Sequence, residues 1–84
     1  MTPAQIKDRL ANVYSDSEIE VVDLTGTHDH YQVMVVSSAF QDMSRLQRQR
    51  SVMDAFEAEL KSGEVHALTI KAVAKGEGTE RSPV

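Results

Sequence analysis

The stretch Asp23-Leu-Thr-Gly-Thr-His-Asp-His-Tyr-Gln-Val-Met-Val-Val-Ser-Ser-Ala-Phe40 decides the fold. Its last part, from His30 to Ser38, is rich in β-branched and aromatic residues and holds no glycine or proline, which predicts a strand. The preceding Thr25-Gly-Thr-His-Asp29 breaks the chain as a short glycine-containing hairpin loop does. Before the break, Glu18-Ile-Glu-Val-Val-Asp-Leu24 reads as a second strand. Ile19 and Val21 point one way, Val22 and Leu24 the other, so both of its faces are expected to be covered. Strands joined by so short a loop pair antiparallel.

Outward from the hairpin, helical signals appear on both sides. At the N-terminus, Thr2, Pro3 and Gln5 make a Thr-x-x-Gln capping box with proline at the first helical position. Ile6, Leu10 and Val13 then form one apolar stripe. After Phe40, Ser44 caps a second helix with Leu46, Val52, Met53, Phe56 and Leu60 as its buried stripe and Gly63 as its stop. Val65-His-Ala-Leu-Thr-Ile-Lys-Ala-Val73 is a third strand, with His66, Leu68, Ile70 and Ala72 on one face. If it runs parallel to the second strand, the helix between them is a right-handed crossover. The order is α-β-β-α-β: an α+β fold, three-stranded mixed sheet with helices packed on one face. Residues 1–73 form the domain. The remainder, 74–84, has no periodicity and is expected to be a flexible tail.

Composition bounds the function. With 84 residues the chain is one domain, with little room for an enclosed substrate cavity. Hydrophobic residues are 40% and charged residues 26%, as in an ordinary soluble globule. No apolar run nears the ~20 residues that span a bilayer, and the N-terminus carries no secretory pattern. The chain has no cysteine, hence no thiolate nucleophile or ligand, and a cytoplasmic setting is expected. The net charge of −4 lowers the expectation of non-specific nucleic-acid binding. Catalysis finds little support: Ser37 and Ser38 have no base poised beside them, and no phosphate-cradling glycine loop occurs.

The hairpin ending in Val35-Val-Ser-Ser-Ala-Phe40 and the Glu64-Val-His-Ala-Leu-Thr-Ile-Lys-Ala72 strand resemble the BolA family. Between them, Ser44-Arg-Leu-Gln-Arg-Gln-Arg-Ser-Val-Met53 lies where that family has an Arg-His-Arg-x-Val-Tyr helix. Gln49 and Met53 replace its usual His and Tyr, and Asp42 stands where Phe-x-Gly is common, a pattern similar to the short-loop members. The resemblance implies a type II KH-like fold and non-enzymatic roles. One role is pairing with a monothiol glutaredoxin, with its glutathione, around a shared [2Fe-2S] cluster in iron homeostasis or stress response. The other is DNA binding in transcriptional regulation.

Three histidines are candidates for ligation, since neutral imidazole is a borderline ligand for iron, zinc or copper. On the residues alone, His28 reads as a polar loop residue, His30 as the edge of a strand, and His66 as a partly buried, hydrogen-bonded histidine. The resemblance makes His66 an iron ligand and brings the second from the hairpin loop: His28, or His30 as the alternative. The glutaredoxin would supply thiolates. The alternative function rests on Arg45, Arg48 and Arg50 at the start of the second helix, where Arg45 and Arg48 share a face. No Gly-x-x-Gly clamp accompanies them, and a solvated helix face is the simpler reading. A monomer and a homodimer both fit this composition.

Overall fold

The computed structural model describes residues 1–26 and 29–76. The order is α1 (Pro3–Val13), β1 (Glu18–Asp23), β2 (His30–Ser37), a 3-10 turn (Ser38–Phe40), α2 (Arg45–Asp54), α3 (Glu57–Ser62) and β3 (Ala67–Ala74). β2 is the middle strand. It pairs antiparallel with β1, Val21 opposite Val33, and parallel with β3, Val33 opposite Ile70. The parallel pair needs a crossover, which α2 and α3 supply. This is the expected α+β architecture with its mixed sheet.

The helix ends have local causes. Thr2 accepts the Gln5 amide on its hydroxyl while the Gln5 side chain accepts the Thr2 amide, closing the expected capping box. Ser44 and Gln47 make a second such box at the start of α2. Gly63 ends α3 with φ +85, a left-handed conformation that side chains disfavour. The core lies between the inner sheet face and the helices: Ile6, Leu10, Tyr14, Tyr31, Val33, Val35, Phe40, Val52, Phe56 and Val65 are buried. Tyr14 stacks obliquely on Phe40, centroids 4.9 Å apart, and shares a 2.5 Å hydrogen bond with the Ser51 hydroxyl.

Several expectations need correction. The second helix is two helices, not one. The amides of Ala55 and Phe56 reach back three residues, to Val52 and Met53, and Phe56 leaves helical geometry. Each helix therefore sets its own buried side. Met53 and Leu46 fall outside the stripe and are exposed, at 43% and 58%. Arg48, one turn before Val52, lies on the partly buried side of the helix instead. In α1, Ile6 and Leu10 are buried, but Val13, where the helix ends, is half exposed. Val22 on β1 and Leu24 just after it are half exposed, so one face alone is covered. Finally, His66 precedes β3 rather than lying within it, and is exposed. β3 also runs one residue past 73, to the buried Ala74. The tail beyond Gly76 lies outside the described residues.

Candidate functional site

The parallel β2–β3 pair puts both strand starts at the same end of the sheet, because His30 registers with Ala67. Asp29, immediately before β2, is stitched to the approach to β3. Its carbonyl accepts the amides of His66 at 2.7 Å and of Ala67 at 3.2 Å. Val65 is buried and anchors that approach from the other side, so the next side chain, His66, emerges at the surface. His30 and His66 thus become neighbours although the whole crossover separates them in sequence.

Their rings meet edge to face with centroids 5.7 Å apart. The Asp29 carboxylate lies between them. Oδ1 is 3.0 Å from His30 Nδ1, and Oδ2 is 3.3 Å from His66 Nδ1. Oδ1 also accepts the Thr25 hydroxyl at 3.1 Å. One donor atom from each of Asp29, His30 and His66 can be chosen so that all lie within 4.8 Å of one another. The rings are accessible, at 41% for His30 and 58% for His66. The expected second ligand His28 lies outside the described residues. The structure places the alternative, His30, beside His66.

This donor set has a definite chemistry. Two imidazoles suit a borderline metal, and the carboxylate can ligate or orient them. With no cysteine in the chain, the sulfur that iron–sulfur clusters require must come from elsewhere. Among the described residues, the two imidazoles and the carboxylate form one accessible three-donor set. Asp29 is the residue that the sequence reading missed. Its signal was its place between two histidines, His28-Asp-His30, but only the β2–β3 register shows that its carboxylate also reaches His66.

The arginine candidates separate. Arg45 and Arg50 are exposed on α2. Arg48 is partly buried and folds back onto the domain. Its Nε donates to the Met43 carbonyl at 3.1 Å and its Nη1 to the Ala72 carbonyl at 3.4 Å, joining α2 to β3. A guanidinium committed to carbonyls is a poor phosphate contact. The expected pairing of Arg45 and Arg48 on one phosphate-binding face is therefore not what the structure presents.

Two further polar clusters are architectural. Arg9 grips Glu59 with both guanidinium arms, at 2.5 and 2.9 Å, donates to the Ala55 carbonyl, and lies 5.2 Å over the Phe56 ring. The Arg9 hydrogen bonds hold the Glu59 carboxyl below the usual carboxylate range. Asp16 accepts hydrogen bonds from Ser38 and Ser37, which lower its pKa in that order. The Ser37 hydroxyl also caps the 3-10 turn by accepting the Ala39 amide, whereas Ser38 lies within the turn and ties it to Asp16. No described helix is long and apolar enough to cross a membrane.

Comparison with known proteins gives a consistent result. The model of the family described as BolA-like protein matches residues 3–77. The chain is 41% identical to mouse BolA-like protein 1 over 76 residues, covering 82% of this chain but 55% of that relative, about half its length. Among solved structures it is similar to BolA1 from Arabidopsis thaliana, with TM-score 0.81, 25% identity and 89% and 93% of the two chains covered. It is also similar to the BolA domain of SufE1 from the same plant, with TM-score 0.78, 33% identity and 87% and 91% covered.

Proposed function

The chain belongs to the BolA-like family, and from that premise we propose that it is a non-enzymatic adaptor that completes an iron–sulfur site on a thiolate-bearing partner. The observation that carries the reading is the accessible pair His30 and His66, held by two strand starts at one end of the sheet. The kinship with the BolA domain of SufE1 supports an iron–sulfur-related role.

The partner that this reading names is a monothiol glutaredoxin with its glutathione, and the shared group is a [2Fe-2S] cluster. His66 and one hairpin histidine would hold one iron. His30 is the hairpin residue that the geometry supports, and His28 is the alternative. When bound, such a cluster supplies a redox-active, transferable iron–sulfur unit, and imidazole ligation raises its potential relative to thiolate ligation. The chain's own contribution is to present two imidazoles at fixed spacing on a surface that a partner can cover. Because the ring edges are open, assembly needs no rearrangement of the sheet.

The test is reconstitution of the chain with a monothiol glutaredoxin, glutathione, iron and sulfide, followed by visible circular dichroism. A mixed cluster signature distinct from that of the glutaredoxin alone is expected. His66→Ala should abolish the distinction, and His30→Ala against His28→Ala identifies the second ligand. A spectrum unmoved by His66→Ala would defeat the assignment.

A further inference from the structure

We propose that Asp29 is the positioning residue of this site: one carboxylate accepts the Nδ1–H of both His30 and His66 and thereby turns both Nε2 lone pairs toward an incoming metal. The proposal rests on the two-imidazole reading above and adds which atoms ligate and what fixes them.

The argument starts from proton counting. A neutral imidazole carries one N–H and one lone pair, and an ionised carboxylate only accepts. Oδ1 stands 3.0 Å from His30 Nδ1 and Oδ2 stands 3.3 Å from His66 Nδ1. The hydrogen bond to His30 therefore requires its hydrogen on Nδ1, and the longer ion-pair contact to His66 favours the same form. The lone pair is then on Nε2 in both. A carboxylate holding the far nitrogen of a ligating histidine fixes its tautomer and orientation and raises its basicity. Here one group does this for two rings on different strands.

Asp29 is itself held. Its carbonyl takes the His66 and Ala67 amides, and its Oδ1 takes the Thr25 hydroxyl. It is also the least exposed of the three residues, at 27%. On the far edge of His66, a methyl group built on Gly63 would lie 3.8 Å from Cδ2 and from Nε2. That is ordinary contact distance, so the Nε2 edge of His66 lies beside the backbone at the end of α3.

The test needs no partner for its first arm. Long-range nitrogen–proton correlation spectra of histidine-labelled apo chain, recorded at about pH 9 where ordinary imidazoles are neutral, report which nitrogen bears the hydrogen. Both His30 and His66 should carry it on Nδ1. Asp29→Asn offers only one acceptor oxygen, so at least one of the two rings should shift toward the Nε2–H form. Asp29→Ala should release both. In the second arm, Asp29→Asn should weaken assembly of the mixed cluster with glutaredoxin by about 10–100-fold, with the amide spectrum of the apo fold retained. An Nε2–H form in the wild-type chain, or tautomers unchanged in both variants, would overturn the proposal. Failure of the wild-type chain to form a mixed cluster would instead defeat the adaptor reading, and the tautomer result would still decide the role of Asp29.

Discussion

His30 and His66 stand edge to face, 5.7 Å between ring centroids, because the parallel β2–β3 register sets His30 opposite Ala67. On the two-imidazole reading proposed above, a pair fixed in this way would chelate: the second ligand is already in place when the first one binds, and little ordering entropy remains to be lost. Nickel or copper ions should therefore stabilise the apo chain against urea, following the linkage of binding to folding. Either His30→Ala or His66→Ala should remove most of that stabilisation, and the double variant should lose little more. Additive losses in the cycle would mean that the rings bind independently.

The Arg9–Glu59 grip is a stability element with a defined pH window. Glu59 is more acidic in the folded chain than its ordinary value of 4.5, chiefly because of the hydrogen bonds from Arg9. A depressed carboxyl stabilises the fold above its unfolded value and loses that contribution as pH falls through the folded one. Arg9 stays charged throughout. Comparing wild type with Glu59→Gln, urea unfolding should show a gap of about 1–2 kcal/mol at neutral pH. The gap should hold down to about pH 6 and then shrink below about pH 4.5. Asp16, also lowered, titrates in both proteins and cancels in the difference. A gap independent of pH would show that the charge of the Glu59 carboxylate contributes nothing to the grip.

Much of the fold was legible because its signals are local. The two strands of the hairpin, the Thr2–Gln5 box, the Ser44 cap and the Gly63 stop each depend on residues within a few positions of one another. The break at Ala55–Phe56 was not legible, since Leu46 and Met53 extend a plausible helical stripe until packing against the sheet selects Val52 and Phe56. The site followed the same division. His66 and the hairpin histidines could be named from sequence, but their convergence depends on strand register. The reach of Asp29 to His66 depends on it too, and no local pattern encodes that contact. Arg48 misled for a related reason: periodicity placed it beside Arg45, and only the β3 carbonyl of Ala72 shows where its guanidinium goes.

That placement of Arg48 separates structural from exposed basic residues. Arg48→Ala removes hydrogen bonds to the Met43 and Ala72 carbonyls together with the apolar stem, and should lower stability by about 1–2 kcal/mol. Arg50→Ala, on the exposed side of α2, should stay within about 0.5 kcal/mol of wild type. In a DNA titration across salt, Arg45→Ala and Arg50→Ala bear on any phosphate contact, whereas an effect of Arg48→Ala should track its loss of fold stability. An Arg48→Ala protein as stable as wild type would show that the clasp from α2 to β3 contributes nothing.

Gly63 joins the end of α3 to the histidine edge, and its substitutions should separate backbone strain from crowding. At φ +85 a side chain is strained wherever space exists, and Gly63→Ala should cost about 1–2 kcal/mol in urea unfolding. Asparagine tolerates the left-handed region better, so Gly63→Asn should cost less. The order reverses at the site. The methyl of alanine lies at ordinary contact distance from His66 Nε2, whereas the longer amide of asparagine extends farther from the backbone at a position beside the ligating edge. Gly63→Asn should therefore be the more stable of the two variants and the weaker in metal-dependent stabilisation. If both properties fell in the same order, the metal effect would follow from fold stability alone, and Gly63 would serve only as the helix stop.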